Sequence, residues 1–237
     1  MDKDEILAYC YDFYNDNLLI GQNLDIKYYE RILNELKPNR VLIVGAGTGR
    51  VAIPLSKLTI VDALDLNEKR LKILRSNEPS INTYTQDITT GSINQKYDLV
   101  IFPYSTMQLL GGYDNINKAL INTSSMLNKN GRIIFDVSES FNTKPEKGNE
   151  LLFEKYSDYL DSRISVYYTA KKSKDFIDIT TDFVKEGEIF SEEERYLYYD
   201  EKRLNSAIPS TLRLLKIDDG YDKDFFTHKH LYHLELL

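Results

Sequence analysis

Val41-Leu42-Ile43-Val44-Gly45-Ala46-Gly47-Thr48-Gly49-Arg50 is an uninterrupted apolar run that passes into a glycine-spaced turn. Four apolar residues in a row suit a parallel strand covered on both faces, because a strand with one wet face would alternate. Glycines at 45, 47 and 49 suit a strand-to-helix turn whose missing side chains let the backbone approach a ligand, with a helix N-terminus behind it. A dinucleotide fingerprint, G-x-G-x-x-G, needs its third glycine at position 50, where this chain has Arg50. The turn therefore points to a nucleoside-type cofactor rather than a pyrophosphate; the plain alternative is a tight turn with no ligand.

Outward from this turn the grammar repeats. Ile26, Tyr29, Ile32, Leu33 and Leu36 fall at helical spacing before Lys37-Pro38, and a Tyr-rich stretch precedes them. A short helix through Leu55, a strand from Thr59 to Leu64 ending at Asp65, a helix from Glu68 to Arg75, and strands at Ile81 to Gln86 and Leu99 to Phe102 follow. Asp114 to Leu127 reads as a helix stopped by Asn130-Gly131, and Arg132 to Val137 as a further strand. Strands alternating with helices predict a parallel sheet. After residue 140, Ser162 to Ala170, Phe176 to Val184 and Arg195 to Tyr199 alternate with period two and carry the polar turns expected between antiparallel strands. A helix at Asp200 to Ala207 and strands at Leu212 to Ile217 and Lys229 to Leu236 close the chain. The expected fold is α/β: a Rossmann-like, seven-stranded, mostly parallel sheet with helices on both faces. Residues 1–140 and 200–237 form its core, and 141–199 an antiparallel β-rich insertion or lid.

Composition narrows the function. The 237 residues carry 30 Lys plus Arg against 37 Asp plus Glu, a net charge of −7, which disfavours a nucleic-acid substrate. A single cysteine, Cys10, offers neither an intramolecular disulfide nor a metal cluster and predicts an intracellular, cytoplasmic protein. No basic leader or long apolar span is visible, so no membrane association is expected. His228, His230 and His233 cannot all face one side of a strand, and no metal is expected. Eighteen tyrosines and no tryptophan mark the chain, with Tyr156, Tyr159, Tyr167, Tyr168, Tyr196, Tyr198 and Tyr199 in or beside the β-rich segment. They read as a lid over a polar pocket, as cross-strand pairing, or as a subunit interface that leaves homodimerisation open.

Acidic residues end two later strands. Asp65 stands where such folds hold ribose hydroxyls, and Asn67 before Glu68 is the better helix N-cap, which frees Asp65 for a ligand. Gln86-Asp87-Ile88 offers a carboxylate for an exocyclic amine and an apolar neighbour for a purine face; a turn-forming Asp is the alternative. These sites share the C-terminal edge of the sheet, where open α/β sheets bind ligands.

These motifs resemble the class I S-adenosylmethionine-dependent methyltransferases: VLIVGAGTGR (41–50) their first motif, ALDLNEKRL (63–71) their second and TQDI (85–88) their adenine segment. YDLVIFPYSTMQLL (97–110) and LNKNGRIIFDV (127–137) are similar to their fourth and fifth strands, nearest to small-molecule enzymes such as sugar and glycine-type N-methyltransferases. The resemblance implies that Gly45, Gly47 and Gly49 face the methionyl part of S-adenosylmethionine, Asp65 the ribose, Asp87 and Ile88 the adenine, and Phe102 the cofactor's edge, with Leu66 beside Asp65 a further cofactor-binding candidate. Tyr11-Asp12 resembles an N-terminal motif whose tyrosine lies near the sulfonium. Ile43 departs from the pattern, since many members carry an acid there. Methyl transfer to N or O of a small molecule, leaving S-adenosylhomocysteine, is an in-line displacement needing little beyond positioning. His228 and Tyr104, and behind them Tyr14, are the candidates for taking a proton.

Other classes compete. A nicotinamide oxidoreductase meets Arg50 at the diagnostic glycine. A nucleic-acid adenine methyltransferase would show Asn or Asp and Pro-Pro where this chain has Ile101-Phe102-Pro103-Tyr104. A non-catalytic cofactor-binding scaffold would bind without turnover.

Overall fold

A computed structural model describes residues 3–18, 23–221 and 229–237. The chain divides into two compact units: residues 24–140 with 199–237, and the N-terminal segment with 141–198.

The larger unit begins with α2 (Leu24–Leu36), which follows α1 (Lys3–Leu18) of the other unit. Ile26, Tyr29, Ile32 and Leu33 are its buried stripe, and left-handed Lys37 (φ 48°) closes it by donating N–H to Leu33 O at 2.8 Å. Then come β1 (Arg40–Val44), α3 (Ala52–Leu55), β2 (Ile60–Asp65), α4 (Glu68–Asn77), β3 (Asn82–Thr85) and β4 (Tyr97–Phe102). A 3-10 turn η1 (Thr106–Leu109), α5 (Tyr113–Ser125) and β5 (Leu127–Ser138) complete the parallel part. One helical turn α6 (Ser140–Thr143) leads to β6 (Lys147–Ser157), β7 (Ser162–Lys172), β8 (Phe176–Lys185) and β9 (Glu188–Leu197), after which α7 (Glu201–Ala207), β10 (Leu212–Asp219) and β11 (Lys229–Leu236) return. The sheet order is β10-β11-β5-β4-β1-β2-β3, parallel from β3 to β5 and antiparallel at β11 and β10. This is the expected seven-stranded, mostly parallel sheet.

Ile43, Ile101 and Ile134 stand in one register row across β1, β4 and β5 and pack with Tyr29, Leu71 and Leu74. Leu42, Val44, Val100, Phe102, Ile133 and Phe135 turn the other way and are also buried, which is why these strands read as unbroken apolar runs. The Asn130-Gly131 pair does not stop the helix. Helix α5 ends at Ser125, Leu127 already pairs with Tyr97, and the next pairing is Leu99 with Arg132. Residues 128–131 are therefore a bulge inside β5, with Asn130 at φ 63° and a Cβ on Gly131 only 2.8 Å from Asn128 O.

The smaller unit sets α1 with an antiparallel sheet in the order β6 (Lys147–Ser157), β7 (Ser162–Lys172), β8 (Phe176–Lys185), β9 (Glu188–Leu197). Cys10 and Phe13 of α1 pack with Ile164, Val166, Phe183 and Phe190, so α1 groups with these strands, whereas the sequence reading keeps residues 1–140 together. Glu186 (φ 51°) and Gly187 (φ 84°) join β8 to β9 as a two-residue turn of the twist that hairpins favour. Strand β6 is missing from the sequence reading because all but two of its residues are exposed, so it shows no alternation. Burial pushes the Cys10 thiol up to about 12, leaving it protonated and inert.

One buried titrating group sets a pH dependence. His233 lies 2.6 Å from Tyr28 Oη, which donates to Asp218 Oδ2 at 2.7 Å. Burial first, and the Lys216 charge second, hold its imidazole down to about 4 against the attraction of Asp218, while its ordinary value is 6.5. Between those values the unfolded chain binds a proton that the folded chain refuses, so His233 contributes fully above pH 6.5 and its contribution fades as pH falls toward 4. Stability should fall by up to about 1.4 kcal/mol per pH unit in that window from this group alone. Urea unfolding of wild type and His233→Gln at steps across the window checks this: the variant's slope should be flatter, and equal slopes would assign the effect to another group.

Candidate active site

Three glycines shape the turn after β1, each for a different reason. All have positive φ: 71° at Gly45, 56° at Gly47 and 103° at Gly49. A Cβ on Gly45 would lie 2.6 Å from Thr106 Oγ1, and one on Gly49 would lie 2.9 Å from Ile53 Cδ1. Nothing lies within 4 Å of where a Cβ on Gly47 would stand. Gly45 and Gly49 are thus glycine for packing, whereas Gly47 faces open space with its N–H held by Asp65 Oδ2 at 2.7 Å. The helix behind the turn, α3, is a single turn and adds little dipole, in contrast to the helix N-terminus expected there.

Asp65, half-buried at the end of β2, also accepts from Asn67 N–H at 2.8 Å through Oδ1. Each oxygen spends one lone pair on backbone and keeps one for a ligand hydroxyl. Asn67 caps α4, accepting from the N–H groups of Lys69 and Arg70. Leu66 is 68% exposed beside Asp65, and Ile88 is buried. Asp87 Oδ1 accepts from Thr89 N–H and Thr89 Oγ1–H, both at 2.7 Å, so the turn-forming role weighed from sequence is realised; Oδ2 takes no bond among the described residues. Phe102 is fully buried beside its register partner Phe135.

At the end of β4 the chain makes a corner. Tyr104 (φ 56°) and Ser105 (φ 63°) are consecutive left-handed residues without a glycine, a conformation costing about 1–2 kcal/mol per residue. The Ser105 N–H donates to Asp136 Oδ2 at 2.9 Å, and Asp136 is fully buried. Lys229 Nζ donates to the same carboxylate oxygen and, at 2.6 Å, to Ser105 Oγ. It also stands 5.4 Å from the centre of the Tyr104 ring, and the Arg50 guanidinium stands 5.1 Å from it. Arg50 is clamped in turn by both carboxylate oxygens of Asp25. Burial works against the Arg50 charge, but the Asp25 bonds and charge more than offset it and keep the group cationic.

Beside this cluster the hydroxyls of Tyr29 and Tyr221 and Asp136 Oδ1 are buried. Burial first, then the Asp136 charge, push both phenols well above the ordinary tyrosine value, so they stay protonated donors. Asp25, Asp136 and Lys229 were not expected from sequence. The one available signal is an acid within the apolar strand Ile133-Ile134-Phe135-Asp136-Val137.

The remaining candidates fall elsewhere. His228 lies outside the described residues. Tyr11 and Tyr14 are on α1 in the smaller unit, where Tyr14 packs against Phe153 and Phe183. His230 and His233 diverge: the first stacks on Tyr199 and the second is buried against Tyr28. Among the described residues no group of three or more His, Cys, Asp or Glu is placed to hold a metal, and no helix is long and apolar enough to cross a membrane.

Residues 39–143, a little under half of the chain, match the family model described as Nodulation protein S (NodS). No curated protein matches in a sequence search. Among solved structures, the chain is similar to an S-adenosylmethionine-dependent methyltransferase from Clostridium acetobutylicum ATCC 824, at 21% identity over 96% of this chain and 99% of that one, with TM-score 0.80. It is also similar to Streptomyces venezuelae DesVI, at 15% identity over 96% and 97%, with TM-score 0.78. The sugar N-methyltransferase KedS8 from Streptoalloteichus sp ATCC 53650 matches at 11% identity over 94% and 91%, with TM-score 0.76. The chain has the Rossmann-like fold of the class I S-adenosylmethionine-dependent methyltransferases, with its glycine turn at the sheet edge where open α/β folds receive ligands.

Proposed function

We propose that the protein moves a methyl group from S-adenosylmethionine to an amine nitrogen of a small molecule. The observation that carries this reading is Gly47, whose side-chain position is open while its backbone is anchored to Asp65, so a ligand can lie against the turn without a clash. Gly45, Gly47 and Gly49 are assigned to the methionyl part, Asp65 to the ribose hydroxyls, and Leu66, Asp87 and Ile88 to the adenine. Phe102 is assigned to the wall beneath them, and Tyr11 to the sulfonium side. Nitrogen rather than oxygen is favoured by the sugar N-methyltransferase KedS8 and a glycopeptide N-methyltransferase among the similar structures.

Bound there, S-adenosylmethionine supplies a methyl group activated by its sulfonium charge, which an amine lone pair displaces in line as the C–S pair returns to sulfur. The chain's own work is to align the two partners, exclude water and accept the proton that leaves the new ammonium. Tyr104 is assigned to relay that proton, its phenol oxygen receiving it as its own proton passes on toward solvent, with His228 as the second candidate. The net charge of −7 supports a small-molecule acceptor over nucleic acid, and one buried cysteine supports a cytoplasmic setting.

Methyl-labelled S-adenosylmethionine incubated with glucosamine, glycine, ethanolamine and their hydroxyl analogues tests the reaction. Label should pass to an amine and not to its hydroxyl analogue; transfer to the hydroxyl alone would overturn the nitrogen assignment. Asp65→Asn keeps one acceptor for the turn but loses the charge, and should weaken cofactor binding by about 10- to 100-fold with little change in unfolding midpoint. Calorimetric titration reads this, and wild-type affinity in the variant would remove Asp65 from the site.

A further inference from the structure

Lys229 and Asp136 belong to none of the cofactor positions, yet they converge on the strained Tyr104-Ser105 corner at the sheet edge. Asp136 lies two residues beyond Ile134 in the row Ile43–Ile101–Ile134, so its buried carboxylate comes out under the loop that follows β4. There its Oδ2 receives the Ser105 N–H at 2.9 Å and the Lys229 ammonium, and Lys229 also reaches Ser105 Oγ at 2.6 Å. The Lys229 side chain is 14% exposed and that of Asp136 is inaccessible, so this is a desolvated pair rather than a surface contact.

Left-handed backbone at two successive non-glycine residues persists only where the surroundings over-determine it. Here the over-determination is local to the corner, and the same lysine stands 5.4 Å from the Tyr104 ring centre. We infer that Lys229 and Asp136 are positioning residues: they lock the Tyr104-Ser105 corner and thereby fix the Tyr104 ring toward the acceptor. The inference rests on Tyr104 serving the proposed methyl transfer. The partners come from chain positions 93 residues apart, so the lock forms only when the antiparallel strand β11 closes onto β5. A second link runs to the cofactor turn, because Thr106, next in the chain, fills the space that a Gly45 side chain would need.

Lys229→Met removes the cation with its stem retained, and Lys229→Arg keeps the charge. Two readouts separate the lock from the chemistry. Amide hydrogen exchange at Ser105 should speed up at least tenfold in Lys229→Met and stay near wild type in Lys229→Arg. With the best amine of the panel above, kcat should fall about tenfold or more in Lys229→Met, with KM and the dissociation constant for S-adenosylmethionine within about twofold of wild type. Partial recovery of kcat is expected in Lys229→Arg. Unchanged exchange at Ser105 would overturn the lock, and faster exchange with unchanged kcat would overturn the positioning role. A wild-type protein that transfers no methyl group sinks the proposed function itself, while Ser105 exchange still decides the lock.

Discussion

Gly45→Ala should lower the unfolding midpoint of the protein by about 5–15 °C, the larger effect among the glycine-turn substitutions. Two costs combine. A non-glycine residue at φ 71° costs about 1–2 kcal/mol, and the new methyl would stand 2.6 Å from Thr106 Oγ1 and 2.7 Å from Thr106 Cγ2. Thr106 cannot turn away freely, because its hydroxyl donates to Pro103 O at 2.5 Å. Overpacking of this kind adds about 1–3 kcal/mol, and at this chain length each kcal/mol moves the midpoint by about 2–4 °C. Thr106→Ala in the same chain should restore part of the loss. Gly47→Ala, with nothing to meet, should cost only about 1 kcal/mol in stability yet weaken cofactor binding. Thermal unfolding of Gly45→Ala, Gly47→Ala, Thr106→Ala and the Gly45→Ala/Thr106→Ala double mutant checks the account; equal midpoints for Gly45→Ala and Gly47→Ala would contradict it.

Asp62→Ala should destabilise the protein by about 3–5 kcal/mol without touching the cofactor turn. Asp62 is fully buried on β2, yet it is saturated: the Arg40 guanidinium donates at 3.0 and 3.1 Å, Asn82 Nδ2 at 3.1 Å and Tyr97 Oη at 2.9 Å. Burial first, then the bond to Asp62, push the Tyr97 phenol above its ordinary value, so it remains a donor throughout the accessible pH range. Removing the carboxylate strands three donors, two of them on neighbouring parallel strands. Tyr97→Phe removes one donor and should cost about 1–2 kcal/mol. Denaturant unfolding ranks the two variants, and an Asp62→Ala loss below about 1 kcal/mol would mean the network contributes little. Cofactor affinity of the folded fraction should be unchanged, since Asp62 pairs with Leu42, three residues short of the turn.

The parallel core was legible because its strands are buried on both faces and its breaks are chemical: Gly45 to Gly49, Asn67 before α4, and Lys37-Pro38 after α2. Local signals failed where the structure depends on distant partners. Strand β6 is an exposed edge with no buried stripe to betray it, and Asn130-Gly131 could end a helix or bulge a strand until Leu127 is seen to pair with Tyr97. The grouping of α1 with the β-rich segment is written in which side chains Cys10 and Phe13 meet, not in their spacing. Of the candidate site, the residues that sit on one turn or strand end could be named from sequence as candidates: the three glycines, Asp65, Asp87, Tyr104. The ones that brace them were not, since Asp25 meets Arg50 across 25 positions and Asp136 meets Lys229 across 93.

Calorimetric titration of the purified protein with S-adenosylmethionine, S-adenosylhomocysteine and NADH tests the central assignment most directly. The geometry of Gly47 and Asp65 predicts that both adenosyl compounds bind with dissociation constants on the order of micromolar, about −8 kcal/mol, and that NADH does not. Binding of NADH with neither adenosyl compound bound would contradict the cofactor assignment and leave the fold without the chemistry proposed for it.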